Sequence, residues 1–312
     1  MKATEAQHAA IERRSLSIGK WANLLMAGSG IAAAFASHSD ALLVDGLYSG
    51  VNFASAIIAG RISASILKPA DRRYPMGYDA YEALYVKYRS LVLLGIMAFA
   101  AFGAVAKIIA YVGGQQVPEL VFGPILVYVV LMIVICFGLA LWYHHNWKRS
   151  GSCSELLKTE SRAAIVDGVI SAGAGAGLLS TALLRGTALE FIVPISDSII
   201  VLILSAFIIG EPVRMFRRSL REVAGGSADP ETGVNVRRSI EKLLQDRPYA
   251  LLEVVVMKMG RTHFVVAYVN PDAPVSGDEA DALREEIETG CAALLKGTKA
   301  ELIIAATGPY PG

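Results

Sequence analysis

The segment FGPILVYVVLMIVICFGLALW, residues 122–142, contains no charged side chain. An α-helix rises about 1.5 Å per residue, so a helix of this length crosses the roughly 30 Å of hydrocarbon in a bilayer. The rest of the chain is similar, because only 18% of its 312 residues are charged and its mean hydropathy is +0.47. Soluble domains are more charged than this. The sequence therefore predicts a multi-pass integral membrane protein of the plasma or inner membrane.

Uncharged runs of similar length predict six membrane-spanning helices. They are Trp21–Ala36, Ala41–Gly60, Leu91–Val112, Phe122–Trp142, Ala163–Leu184 and Phe191–Gly210. The first run is the shortest, and we keep it as a span because Lys20 at its start can extend to the membrane interface. The predicted fold class is a membrane all-α bundle of six transmembrane helices within residues 1–212.

Lysine and arginine are unevenly distributed over the connections between these runs. The connections at 61–89 and 147–162 contain several, whereas those at 37–40 and 113–120 contain none. The connection after the fifth run contains only Arg185. Because short cytoplasmic loops are enriched in Lys and Arg, this distribution predicts that both termini are cytoplasmic.

After Glu211 the composition becomes that of a soluble protein, which predicts a second, cytosolic domain over residues 213–312. Its patterns follow the order helix, strand, strand, helix, strand. This αββαβ order predicts a small antiparallel or mixed sheet backed by two helices. With 13 Lys and Arg against 14 Asp and Glu from residue 213 on, the domain is too neutral to predict nucleic-acid binding.

The second predicted span carries a polar stripe. Asp45, Tyr48, Ser49 and Asn52 are three, one and three positions apart, so they lie along one face of a helix. A carboxylate near the bilayer centre costs about 3 kcal/mol on insertion scales, so Asp45 is expected to face protein or a wet cavity. The alternative for Tyr48 and Ser49 is a purely structural role as hydrogen-bonding residues between helices.

The fifth predicted span offers a matching set of groups. Asp167 and Ser171 share one face, and they are followed by Gly173, Gly175 and Gly177. Small residues at this spacing let a second helix approach closely, and we expect these glycines to serve packing. Two facing helices that each carry a carboxylate would supply oxygen ligands suited to a divalent cation.

Other polar residues in the chain give weaker indications. Lys107, late in the third span, is expected to extend outward to the interface. Asp197, at the outer end of the sixth span, has either a structural role or one in a vestibule. The three cysteines, Cys136, Cys153 and Cys291, lack the spacing of zinc or redox motifs. No catalytic motif of the HExxH, GxSxG or GxGxxG type stands on these helices, so neither an enzyme nor a cofactor is predicted.

Several of these features together resemble the cation diffusion facilitator family. They are the Asp-Gly-x-Tyr-Ser sequence at 45–49, the loop LKPADRRYPMGYDAYEAL at 67–84, Asp167, and the αββαβ tail. Members are homodimeric exchangers that move Zn, Mn, Fe, Co or Cd out of the cytoplasm against protons. The resemblance implies a divalent cation efflux transporter, a cation/proton antiporter, with a ferredoxin-like (αββαβ) cytosolic dimerisation domain.

The resemblance also implies positions for the ligands. Members build a tetrahedral site from two residues four apart on the second span and two on the fifth. Counting back from Pro69, the second-span pair falls on Tyr48 and Asn52; with a longer loop it falls on Asp45 and Ser49. The fifth-span pair falls on Ala163 and Asp167. The resulting metal site consists of Asp45, Asn52 and Asp167, assisted by Tyr48, Ser49 or Ser171.

Departures from the family pattern affect the expected ion. Positions that hold metal ligands in zinc-transporting members correspond here to Tyr74, Tyr78, Tyr268, Ala305 and Thr307, so the accessory and tail metal sites are predicted to be lost. The oxygen-rich ligand set favours Mn²⁺, Mg²⁺ or Fe²⁺, with Zn²⁺ and Co²⁺ not excluded. The expected partners are this ion, protons, the lipid bilayer and a second copy of the chain.

A second hypothesis is a non-transporting membrane scaffold or regulatory homologue. The missing ligand at Ala163 favours it. The two intramembrane aspartates, Asp45 and Asp167, argue against it, because a scaffold has no use for carboxylates that are costly to insert.

Overall fold

The computed structural model describes residues 2–66, 71–74, 77–149, 155–184, 186–260, 262–295 and 297–309. Its α-helices are α1 (Lys2–Ser37), α2 (Asp40–Ile66), α3 (Ala80–Val112), α4 (Phe122–Arg149), α5 (Glu155–Ser180), α6 (Ser196–Ile208), α7 (Gly210–Val223), α8 (Pro230–Leu244) and α9 (Gly277–Ala292). Its strands are β1 (Tyr249–Met259), β2 (Thr262–Pro271) and β3 (Thr298–Ile304). Cys153, Arg185 and parts of the 67–84 loop, including Pro69, lie outside the described residues.

Among the described residues, five helical segments are long and apolar enough to cross a membrane. They are Asp40–Ile62, Ala80–Val112, Phe122–Arg149, Leu157–Leu183 and Glu190–Val223, which correspond to the second to sixth predicted spans. Helix α1 runs continuously through the first predicted span but is not one of these five, so the count of six stays a prediction. Large apolar side chains such as Phe102 and Phe207 are 76% and 83% exposed, as expected for surfaces that meet lipid.

The chain forms two compact units. The first comprises Met1–Ile58 and Leu91–Val213, and the second comprises Ala59–Ser90 and Arg214–Gly312. The predicted domain boundary between residues 212 and 213 stays a prediction.

Within the first unit, glycines allow close helix packing. A methyl group at Gly175 of α5 would lie 2.2 Å from Cγ2 of Val129 on α4, and one at Gly177 would lie 3.3 Å from Cδ1 of Ile200 on α6. At Gly173 no described atom lies within 4 Å of such a methyl group. Gly175 and Gly177 therefore serve packing as expected, whereas Gly173 faces open space.

The start of α2 is anchored by a carboxylate from α6. Asp197 is fully buried, and its carboxylate accepts hydrogen bonds from Ser39 Oγ (2.5 Å), Asp40 N (2.8 Å) and Ala41 N (3.3 Å). The first N–H groups of a helix have no partner within the helix, and the helix dipole favours a negative charge there. Asp197 therefore has a structural role as a cap donated by another helix.

Lys107 takes part in the same cluster instead of extending outward. Its Nζ lies 3.4 Å from Oδ2 of Asp40 and 4.0 Å from Oδ2 of Asp197. The expectation for Lys107 was therefore wrong, because two carboxylates at this end of the helices offer a partner that a sequence window does not show.

The second unit contains a three-stranded mixed sheet in the order β1-β2-β3. Strands β1 and β2 are antiparallel, and β2 and β3 are parallel. Helices α8 and α9 pack on it through buried residues that include Ile240 and Ile287, which contact a core containing Val265 of β2. The αββαβ element order follows the sequence pattern, while the assignment to the ferredoxin-like fold stays a prediction.

The loop before α3 contacts the sheet within this second unit. Lys299 Nζ of β3 donates a hydrogen bond to Oδ2 of Asp79 at 3.2 Å. Gly260, in the turn between β1 and β2, has a φ of +61°, and a methyl group there would lie 2.4 Å from the carbonyl oxygen of Asp79. This turn therefore requires glycine both for its backbone conformation and for its close approach to the loop.

Candidate metal site

Asp45 lies where three helices of the first unit meet. Its Oδ2 accepts a hydrogen bond from Tyr128 Oη of α4 at 2.8 Å and another from Ser171 Oγ of α5 at 3.3 Å. Tyr128 and Ser171 are buried, whereas Asp45 is partly accessible. Among the described residues, no hydrogen bond reaches its other oxygen, Oδ1. The carboxylate is thus held by one oxygen and leaves the second available to a cation.

Two glycines make room for this arrangement. A methyl group at Gly30 of α1 would lie 2.7 Å from Cα of Gly46 and 3.0 Å from Oη of Tyr128. Helices α1 and α2 can therefore approach closely beside Asp45, and Tyr128 can extend its hydroxyl to the carboxylate. A larger side chain at either glycine would displace the phenol or separate the helices.

Asp167 lies on α5, one helical turn before Ser171. Its side chain is on an exposed face, and no hydrogen bond or ion pair involves it among the described residues. It shares α5 with Ser171, whose hydroxyl donates to Asp45. The structure therefore joins Asp45 to Ser171 directly and leaves Asp167 near them without a shared bond.

The remaining predicted ligands lie on α2. Ser49 is buried, and Tyr48 and Asn52 are partly buried. The family pattern allows two ligand pairs on α2, Tyr48 with Asn52 or Asp45 with Ser49. These positions do not decide between the pairs, because within the described part of the chain Asp45 is hydrogen-bonded to Tyr128 and Ser171 and not to another residue of α2. Ala163 is exposed and has no ligand atom in its side chain.

Acidic and soft ligands are sparse around this site. Within the described ranges, no group of three or more His, Cys, Asp or Glu side chains is close enough to hold a metal ion. An ion bound at Asp45 would therefore rely on neutral oxygens as well. Cys136 of α4 is 1% exposed, and its thiol donates to Sδ of Met26 at 3.9 Å.

Tyr128 and Cys136 are absent from the predicted site. The sequence does contain an indication of Tyr128, since it is the single hydroxyl-bearing residue in the quoted segment 122–142, and a buried tyrosine hydroxyl normally finds a partner. What the sequence lacks is the identity of that partner, because Asp45 lies on a different helix far away in the chain.

The loop positions predicted to have lost an accessory metal site form a tyrosine cluster. The rings of Tyr74, Tyr78 and Tyr81 lie 4.6 to 5.8 Å apart, and Tyr81 Oη donates a hydrogen bond to Tyr74 Oη at 2.6 Å. Tyr78 Oη donates to Oδ2 of Asp71 at 2.7 Å, and this bond raises the pKa of Tyr78. Ring contacts and hydrogen bonds thus connect these side chains, and the loss of the accessory and tail sites stays a prediction.

Comparison with known protein families matches residues 16–223 to the cation efflux transmembrane domain. The match covers about two thirds of the chain and includes every residue of the candidate site. A comparison with curated proteins finds no match. The matched domain covers all five membrane-compatible helices, so the chain is an integral membrane protein. It belongs to the cation diffusion facilitator, or cation efflux, family and is a metal cation transporter of that kind.

Proposed function

We propose that this transporter moves a divalent metal cation out of the cytoplasm in exchange for protons, and that Asp45 and Asp167 are the charged groups of its ion site. The observation that supports this most is the carboxylate of Asp45 at the meeting point of α2, α4 and α5. Hydrogen bonds from Tyr128 and Ser171 fix one of its oxygens, and the other is available to an ion.

The donor chemistry favours hard divalent cations. Asp45 and Asp167 supply carboxylate oxygens, Asn52 an amide oxygen, and Tyr48, Ser49 or Ser171 hydroxyl oxygens. Such a set suits Mn²⁺, Mg²⁺ or Fe²⁺. Zn²⁺ and Co²⁺, which the family resemblance also names, bind oxygen ligands less selectively.

Proton exchange follows from the need of a carboxylate to be deprotonated when it binds a metal. A proton and a dication therefore compete for Asp45 and Asp167, and binding of one favours release of the other. Access would alternate between the two sides of the membrane as one group of helices rocks against the rest.

The architecture that goes with this function has six membrane-spanning helices, including α1, in the plasma or inner membrane. Both termini are cytoplasmic, and the tail is a ferredoxin-like domain that joins two copies of the chain across a two-fold axis. The protein is not an enzyme, uses no cofactor and does not bind nucleic acid.

A non-transporting scaffold or regulatory homologue is the second candidate. The lack of a ligand atom at Ala163 is the observation in its favour, and the match to the cation efflux transmembrane domain argues against it. The two candidates differ in whether the wild-type protein moves metal across a membrane.

Flux measurements on purified protein in liposomes test the proposal. We expect Asp45→Asn and, separately, Asp167→Asn to lower Mn²⁺ uptake driven by a pH gradient to near the level of empty liposomes. Asp40→Asn is the matched control, because Asp40 begins the same helix but pairs with Lys107 away from Asp45. Flux that equals the wild-type flux in both site variants would reject Asp45 and Asp167 as the ion site. Wild-type flux no higher than that of empty liposomes would reject the transport role and favour the scaffold.

A further inference from the structure

The two hydrogen bonds at Asp45 converge on a single oxygen. Tyr128 and Ser171 come from different helices, yet both donate to Oδ2. Within the described part of the chain, Oδ1 receives no such bond. A carboxylate held in this way offers a cation one oxygen rather than two.

Tyr128 is well placed to enforce this asymmetry. It is 3% exposed and belongs to the same buried cluster as Ile125 and Met132. Its hydroxyl also lies close to α1, because a methyl group built on Gly30 would be only 3.0 Å from Oη of Tyr128. The phenol therefore cannot swing away from Oδ2 without disturbing the packing of α4 against α1.

We infer that Tyr128 is a positioning residue that sets the ion selectivity of this transporter, by keeping Asp45 a one-oxygen ligand and so disfavouring Ca²⁺ relative to smaller divalent cations. The inference rests on the proposed function, since it assigns a role at the same site. Tyr128 acts through Asp45 and does not itself need to touch the ion.

Coordination chemistry connects the geometry to selectivity. Ca²⁺ takes about six to eight oxygens at roughly 2.3–2.6 Å and readily uses both oxygens of a carboxylate, whereas Mg²⁺ needs about six at roughly 2.0–2.1 Å. Engaging Oδ2 in two hydrogen bonds removes one potential ligand from a site that is already poor in charge. The larger ion loses more from this than the smaller one.

Competition between Ca²⁺ and Mn²⁺ during transport provides the test. Mn²⁺ uptake into liposomes is measured at increasing Ca²⁺ for the wild type, Tyr128→Phe and Ser171→Ala. Tyr143→Phe is the matched control, because Tyr143 is a buried tyrosine of the same helix with no bond to Asp45. Partners that orient a ligand typically affect metal affinity by about 10- to 100-fold, so we expect the Ca²⁺ inhibition constant to fall about tenfold in Tyr128→Phe.

The ratio of the Ca²⁺ inhibition constant to the Mn²⁺ KM separates positioning from a general structural role. A fall in this ratio for Tyr128→Phe and for Ser171→Ala, with Tyr143→Phe like the wild type, supports the inference. The inference is overturned if the ratio in Tyr128→Phe equals or exceeds that of the wild type, whether or not the variant has lost activity. Direct Ca²⁺ and Mn²⁺ titrations of the solubilised protein give the same ratio if a variant does not transport.

Asp45→Asn is measured in parallel to separate the two claims. If Asp45→Asn abolishes flux while Tyr128→Phe leaves the ratio unchanged, the proposed function stands and the role of Tyr128 is wrong. If Asp45→Asn leaves flux and selectivity unchanged, the proposed site is wrong, and the inference about Tyr128 is overturned with it.

Discussion

Asp197→Ala removes the carboxylate that caps α2 from the side of α6. Three donors lose their acceptor: the hydroxyl of Ser39 and the backbone N–H of Ala41, which are buried, and the backbone N–H of Asp40, which is partly buried. Lys107 also loses the second of its two acidic neighbours. The change is therefore expected to destabilise the first unit strongly.

The magnitude follows from the nature of these bonds. A hydrogen bond to a charged group contributes about 1.5–3 kcal/mol, and removing one partner of a buried ion pair costs about 3–5 kcal/mol. Because the bonds share one carboxylate, their contributions do not simply add. We expect Asp197→Ala to lower the free energy of unfolding by about 3–5 kcal/mol, a large part of the roughly 5–15 kcal/mol that stabilises a typical protein.

Equilibrium unfolding in mixed detergent micelles measures this difference. Asp40→Asn is the control, since the Asp40 side chain is 47% exposed and its pair with Lys107 is worth about 0–1 kcal/mol at most. If Asp197→Ala is no more destabilising than Asp40→Asn, the carboxylate of Asp197 does not anchor α2 and the reasoning is refuted.

Three further predictions concern stability and use the same unfolding measurement. Gly175→Ala should lower the free energy of unfolding by about 1–3 kcal/mol, because its methyl group would overlap the side chain of Val129 on α4. Gly173→Ala should be neutral or stabilising, and equal effects of the two variants would contradict the assigned packing. Gly260→Ala should lower the free energy of unfolding more than Gly225→Ala does. Both glycines have a positive φ, but a methyl group at Gly260 would overlap the carbonyl oxygen of Asp79, whereas one at Gly225 meets no described atom within 4 Å. The reverse order would be inconsistent with the contact at the turn. Ser276 caps the start of α9 in a capping box: its hydroxyl accepts from the backbone N–H of Glu279, and its own N–H and hydroxyl donate to the Glu279 carboxylate. These bonds lower the pKa of Glu279, so its contribution to stability is present at neutral pH and is lost as the pH falls through that lowered pKa. Glu279→Gln should therefore lower the melting temperature at pH 7 but not in acid, and a pH-independent difference would argue against the capping box.

The parts of the fold that local patterns determine were predictable. Uncharged runs place the apolar helices, because a buried backbone in lipid must satisfy its own hydrogen bonds. Alternation and turn residues give the order of the tail. The polar stripe on α2 indicated Asp45, because an intramembrane carboxylate is costly without a partner. The structure places the hydroxyl of Ser171 in a hydrogen bond with it, while the role of both residues in binding an ion stays a prediction.

The partners across helices were not predictable from one sequence. Tyr128 reaches Asp45 because α4 packs beside α2, and the close approach of α1 to α2 at Gly30 and Gly46 leaves room for its hydroxyl. Asp197 likewise meets the start of α2 across more than 150 residues of chain. The direction of Asp167, on an exposed face, depends on the rotation of α5, which hydropathy alone does not fix.

Anomalous diffraction from crystals soaked in Mn²⁺ tests the central claim most directly. The account predicts a peak between α2 and α5, with Oδ1 of Asp45 at a ligand distance of about 2.0–2.6 Å and Asp167 as a second carboxylate ligand. It also predicts that the hydrogen bond from Tyr128 to Oδ2 persists when the ion is bound. A protein that transports Mn²⁺ but shows its only intramembrane peak away from both aspartates would contradict the account.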